Sequence, residues 1–147
     1  MSRSAIEIVQ GIHDGSRPMR TALIEQISDG AEFHAPGDPA ILPWAGTFRG
    51  PSGVRRQSEL LGAHVKYEQF GPHEYFLSED GREVAVRSAT RVRGLATDRV
   101  FESSFLRVFS FDGGQITDVR TWYDTLAYAL AIGAVAESSG VREAGRT

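Results

Sequence analysis

The second half of the chain is a near-continuous run of extended segments, and that feature limits the architecture most. Val65 to Phe76, Glu83 to Val92, Phe101 to Phe111 and Ile116 to Tyr123 read as strands. Phe101 to Phe111, rich in phenylalanine and valine, is the strongest of them. Glu79-Asp80-Gly81 and Asp112-Gly113-Gly114 are the tight turns between strands, so the segments pair as an antiparallel meander. Gly71-Pro72 interrupts the first strand and predicts a bulge or bend.

Helical signals precede the meander. Ile6, Val9 and Ile12, with Ile8 beside them, predict a short amphipathic helix ending near Asp14-Gly15. Ser16-Arg17-Pro18 opens a second helix, whose stripe is Met19, Leu23 and Ile27 and whose stop is Gly30. Ala31 to Ala35 reads as a short strand. The segment from Pro36 to Pro43 holds three prolines and must be a shaped loop. Pro51 to Leu61 is a third helix closed by Gly62, and Asp124-Thr125 starts a last one over Leu126 and Leu130. Helices segregated from a meander indicate an α+β fold. A long sheet with a Gly-Pro break bends around its helices and leaves a concave face, where a pocket forms.

Composition excludes several functions. The chain of 147 residues has no cysteine, which rules out disulfides, thiolate metal sites and thiol nucleophiles. Four scattered histidines give no local metal-ligand pair, so neither a metal nor a cofactor is expected. A net charge of −3 argues against nucleic acid. The opening residues lack an apolar signal core, and no apolar run is long enough for a membrane helix. A cytoplasmic protein acting on a small molecule is the expectation.

Alternation selects the side chains that face the pocket. One face of the Phe101–Phe111 strand carries Phe101, Ser103, Phe105, Arg107, Phe109 and Phe111. It holds the one charge, Arg107, between Phe105 and Phe109. A guanidinium there is desolvated and needs an anionic or carbonyl partner, unless it lies flat on the rings with its head in water. On the preceding strand Arg87, Arg91 and Arg93 share the outer phase, which turns Ser88 and Thr90 inward. On the return strand Val119, Thr121 and Tyr123 share the inner phase. His34, at the pocket mouth, is the candidate acid or base; its alternative role is to tie down the proline-rich loop. Trp44 is a pocket wall or plug. Tyr123 is a hydrogen-bond donor to a carbonyl or a satisfied core tyrosine, and Asp124 is most simply an N-cap.

His34-Ala35-Pro36-Gly37-Asp38-Pro39, the run from Leu42 to Gly50, Asp112-Gly113-Gly114-Gln115-Ile116 and Tyr123-Asp124-Thr125 resemble the SnoaL-like group. That group belongs to the nuclear transport factor 2-like and ketosteroid isomerase-like superfamily. The resemblance covers about residues 5–132. It implies a cone-shaped barrel of strongly curved, mostly antiparallel sheet around N-terminal helices, with an internal pocket and often a homodimer. Residues 1–136 would form one SnoaL-like domain and 137–147 a flexible tail. Members include polyketide cyclases, steroid isomerases, epoxide hydrolases, dehydratases and non-catalytic binding domains, so the fold does not choose a reaction. The isomerases' aspartate base falls near Ala35, beside His34, and their oxyanion-binding acid falls on Arg107, where many SnoaL-like members carry histidine. The epoxide hydrolase set falls on Ser88, Thr90 and Thr121. An inner cyclase carboxylate could come only from Asp38 or Asp124.

The expected site is therefore His34, Arg107 and Tyr123 as catalytic groups, with Trp44, Ser88, Thr90, Phe105, Phe109, Val119 and Thr121 around the ligand. Two functions stay open: isomerase- or cyclase-type proton transfer next to a carbonyl, or a binding module for a small hydrophobic acid or carbonyl compound.

Overall fold

The computed structural model describes residues 3–136; the tail expected at 137–147 lies outside the described residues. The order is α1 (Ala5–His13), α2 (Met19–Gln26), β1 (Ile27–Ala35), β2 (Gly46–Arg49), α3 (Gly50–Gly62), β3 (Val65–Leu77), β4 (Glu83–Gly94), β5 (Val100–Asp112), β6 (Gln115–Trp122) and α4 (Thr125–Ala131). The strands form one six-stranded sheet in the order β2-β1-β6-β5-β4-β3. Every pairing is antiparallel except β1 with β6. The sheet is curved like a cone and is open: β2 and β3 remain edges, so the barrel does not close. None of the helices is long and apolar enough to cross a membrane.

Local chemistry sets the boundaries. Ser4 and Glu7 form a capping box at α1, the Ser4 hydroxyl accepting from the Glu7 N–H and the Glu7 carboxylate from the Ser4 N–H. Asp124 caps α4 by accepting from Ala127 N–H at 3.0 Å, as its position implied. The second helix ends earlier than its stripe predicts. Ile27 leaves it to pair with Ile116 at the start of β1, and Gly30 lies within that strand, where the register shifts. The stop expected at Gly30 is thus a strand irregularity. The proline-rich loop buries Leu42, 1% exposed, leaves Ile41 40% exposed and leads into Trp44, which is 0% exposed. β2, absent from the sequence reading, follows it as a short edge strand.

The core lies between the inner sheet face and the helices. Val84, Val86, Val92, Phe109, Ile116 and Val119 point inward and are essentially inaccessible. The outer face of β4 carries the arginines, paired with acids of neighbouring strands: Arg87 with Glu74 at 2.9 Å, Arg91 with Glu68 at 3.2 Å and Arg93 with Glu68 at 2.6 Å.

Gly94 closes β4 where the Ala131 carbonyl of α4 seats directly against it, so a Cβ there would overlap that oxygen. Gly94→Ala should therefore lower unfolding free energy by about 1–3 kcal/mol, the usual cost of overpacking against backbone that cannot yield. Urea denaturation of the two proteins checks this, and an unchanged midpoint would contradict the docking of α4 on Gly94.

Candidate functional site

The inner sheet face and two helices enclose a cavity of about 280 Å³, at the small end of ligand sites, which run about 300–1,000 Å³. The sheet supplies Phe33, Tyr67, Phe70, Phe105 and Arg107, α2 supplies Met19 and Leu23, and α3 supplies Val54, Gln57 and Leu61. Most of the lining is apolar. Exposed Arg20 adds a positive charge at the edge of the cavity.

Arg107 is the centre of the site. Its guanidinium lies 5.1 Å from the Phe33 ring centroid and 4.8 Å from that of Phe105. Its Nε donates to Thr121 Oγ1 at 3.0 Å, across the register that pairs the two residues. Among the described residues no carboxylate pairs with it, and its Nη atoms have no hydrogen-bond partner. Burial pulls its pKa down, against the opposing influence of the Tyr67, Tyr123 and Tyr128 hydroxyls. A guanidinium nevertheless stays protonated, so the cavity holds a cation with free donors.

Phenols back this cation. Trp44 Nε1 donates to Tyr123 Oη at 2.8 Å, leaving the Tyr123 proton available. Tyr67 and Tyr128 share a 2.6 Å hydrogen bond, and the Tyr123 and Tyr128 rings lie 4.5 Å apart. Burial raises the pKa of all three, so they remain donors. Gln57, only 4% exposed, makes no side-chain hydrogen bond among the described residues and borders the cavity.

The expected residues separate into three groups. Phe105 and Arg107 line the cavity, with Thr121 and Tyr123 behind Arg107 and Trp44 behind Tyr123. Ser88, Thr90, Phe109 and Val119 face inward as expected but are packed in the core, 0–5% exposed, and do not border the cavity. Ser88 Oγ is 2.7 Å from His73 Nδ1. His34 does not join Arg107. Phe33 and Ala35, 3% and 6% exposed, take the inner face of β1, so alternation puts His34 on the outer face against Thr47 and Asp118. The two side chains stand on opposite faces of the sheet, which sets His34 apart from the cavity that Arg107 lines, and a general base must reach its proton. Asp38 folds its own turn, accepting from Ala40 N–H at 2.9 Å.

Phe33, Gln57, Tyr67 and Phe70 are lining residues that the sequence reading missed. Val54, Gln57 and Leu61 share one helical stripe, and a glutamine on an apolar stripe is a signal that was there to be found. Phe70 gave none. Register shifts on both sides of it, between Tyr67 and Gln69 and between Phe70 and His73, turn it inward out of phase with its strand.

A second polar feature lies behind the cavity wall. His13, the last residue of α1, is buried against His73, Tyr75 and Phe109, with ring centroids 5.0, 6.0 and 5.9 Å away. Its Nδ1 lies 2.7 Å from the Val9 carbonyl and must donate to it. Its Nε2 therefore carries a lone pair, buried and without a partner.

The chain matches the family model of the SnoaL-like domain over residues 16–119. No curated protein matches it in sequence. Solved structures do match. A nuclear transport factor 2-like protein from Burkholderia xenovorans LB400 is 25% identical, with a TM-score of 0.72 over 86% of this chain and 94% of that one. TerC, co-crystallised with polyporic acid, is 18% identical with a TM-score of 0.74 over 87% and 97%. A candidate polyketide cyclase from Xanthomonas campestris pv. campestris is 12% identical with a TM-score of 0.71 over 87% and 96%.

His13 makes stability depend on pH. Burial, then the charges of Arg107 and His73, outweigh the Val9 hydrogen bond and push its pKa down to about 4. Between about pH 6.5 and pH 4 the unfolded chain binds a proton there that the folded chain refuses, so stability falls as pH falls through that window. From pH 7.5 to about pH 4.5 the His13 contribution to this loss is roughly 2–3 kcal/mol. Urea unfolding of wild type and His13→Phe at both pH values isolates it: the variant should lose that much less, and equal losses would refute the assignment.

Proposed function

The chain belongs to the SnoaL-like domain family, and we propose that it binds a small, planar, mostly apolar molecule bearing a carboxylate or an enolic carbonyl. One observation carries this reading: Arg107 stands in the cavity as a cation without a protein carboxylate. The Phe33 and Phe105 rings pack against the guanidinium and Thr121 occupies Nε, so the Nη nitrogens are the donors that remain for a ligand. That pair suits two coplanar acceptor oxygens. Gln57 supplies a further polar contact, and the apolar walls take the ligand's body. The relative co-crystallised with polyporic acid, itself an acid, supports the same class.

Binding fits this geometry better than proton transfer by a protein base. Arg107 with the Tyr67 hydroxyl would stabilise an enolate oxygen, the electrostatic half of an isomerase or cyclase site. The described lining contains neither a carboxylate nor an imidazole to take the proton.

Arg107→Met is the decisive variant. Its side chain keeps the volume and removes a desolvated charge that lacks an anion, so the unliganded protein should be as stable as wild type or roughly 1–3 kcal/mol more stable. Aromatic acids and enolic diketones should raise the melting temperature of wild type and not of the variant. Equal shifts in both proteins would remove Arg107 from the site.

The outer sheet face supports pairing with a second copy of the chain. Leu106 and Trp122 are cross-strand partners there, 37% and 50% exposed, and form an apolar step between charged neighbours. Light scattering after gel filtration should give a dimer mass for wild type and a monomer mass for Trp122→Glu. A monomeric wild type would end this reading without affecting the cavity.

A further inference from the structure

Strand pairing assembles a group on the outer face that no local spacing announces. Glu32 and His34 are two residues apart on β1, so both project from the same side of the sheet. The parallel register sets Asp118 of β6 beside Glu32, and the antiparallel register sets Thr47 of β2 beside His34. His34 Nε2 is 2.9 Å from Asp118 Oδ1 and 3.7 Å from Glu32 Oε1, and the three donor atoms all lie within 4.8 Å of one another.

A further residue holds each of these side chains from behind. Thr47 Oγ1 lies 3.0 Å from His34 Nδ1. Arg49 Nη2 donates to Glu32 Oε2 at 2.6 Å, and Arg120 Nε donates to Asp118 Oδ2 at 3.1 Å. The far carboxylate oxygens are thus engaged, and the near ones, Oε1 and Oδ1, both turn to one imidazole nitrogen. Arg49 and Arg120 are 66% and 54% exposed, so water screens much of their repulsion of a cation.

We propose that Glu32, His34 and Asp118 form a binding site for Zn²⁺, with one nitrogen and two oxygen ligands and the remaining position open to water. Zinc bonds of about 2.0–2.2 Å in a tetrahedron place donor atoms about 3.3 Å apart. The two separations from Nε2, 2.9 and 3.7 Å, bracket that value. When Nδ1–H donates to the Thr47 hydroxyl, Nε2 turns a lone pair to the two carboxylate oxygens and a cation can sit among the three atoms; in the other tautomer Nε2–H donates to Asp118 instead. A proton on Nε2 is the competitor, and zinc must displace it. Imidazole with carboxylates is a donor set that zinc accepts, and buttressing of this kind orients metal ligands. All three ligands sit on strands and are partly buried, at 23–36% exposed. The site lies on the opposite face from Arg107, so it stands or falls independently of the ligand proposed for the cavity.

The test is calorimetric titration of the tag-free, full-length protein with ZnCl₂ at about pH 7.5, together with the visible spectrum after adding Co²⁺. Wild type should bind one ion per chain, and cobalt should give the intense absorption of four- or five-coordination. His34→Gln and Asp118→Asn should each weaken binding at least about tenfold, and Thr47→Val, which leaves every ligand in place, by about 10–100-fold. Absence of saturable binding by wild type at about millimolar zinc overturns the proposal. So does unchanged affinity in folded His34→Gln and Asp118→Asn, and if these fail to fold, unchanged affinity in Thr47→Val does so.

Discussion

Arg107 brings a full charge to the inner face, partly buried and with no carboxylate beside it among the described residues, and the layout of that face follows from it. An ion taken out of water costs several kcal/mol even after the protein relaxes around it. Here the compensation comes from neutral groups on three strands: the rings of Phe33 on β1 and Phe105 on β5, and the hydroxyl of Thr121 on β6. Cation–π contacts and one hydrogen bond recover part of that cost. They leave two guanidinium nitrogens facing the space between sheet and helices. The meander has to curve, and β1 has to join beside β6, for Phe33 to reach the same guanidinium as Phe105.

The sheet assigns different electrostatics to its two faces. The outer face of β3, β4 and β5 carries exposed ion pairs of Arg87, Arg91 and Arg93 with acids. Such pairs contribute little to stability each, but they keep a broad face hydrated and its charges matched. Among the described residues, the sheet wall of the cavity carries one charge, Arg107, with no acid paired to it. A lone cation there has no role in a purely structural sheet, where an apolar residue of similar volume would pack as well at lower cost. That contrast makes Arg107 a binding group more readily than a packing one.

Strand alternation made most of this legible in the sequence. The Arg87/Arg91/Arg93 phase correctly turned Ser88 and Thr90 inward, and the phase of Phe105 correctly took Arg107 with it. Alternation fails where a strand changes phase or where its orientation is left unassigned. His34 was placed by its nearness to the proline-rich loop, although Phe33 and Ala35 on either side already marked the other face as internal. Phe70 turns inward only because of two register shifts, which depend on pairing with β4 and have no signature beyond Gly71-Pro72. The Glu32–His34–Asp118 group is less visible still, since it joins positions 84 residues apart through the parallel β1–β6 contact.

The form of the cavity narrows what Arg107 can hold. The Phe33 and Phe105 ring centroids lie 5.1 and 4.8 Å from the guanidinium carbon and Thr121 holds Nε, so the ligand proposed above would meet the guanidinium along its Nη edge. A carboxylate does this, as does an enolised carbonyl with a neighbouring oxygen, whereas a tetrahedral anion matches the slot poorly. Tyr67 and Tyr123 stay protonated because burial raises their pKa, so neither brings a competing negative charge, and Tyr67, which borders the cavity, can donate to an oxyanion there. Arg20 at the edge and Arg107 inside give the cavity the same sign along its length, and no acid in its lining offsets them. The proposed preference for a flat anion therefore rests on geometry and charge together, since neither alone would exclude a neutral apolar molecule or a bulky phosphate.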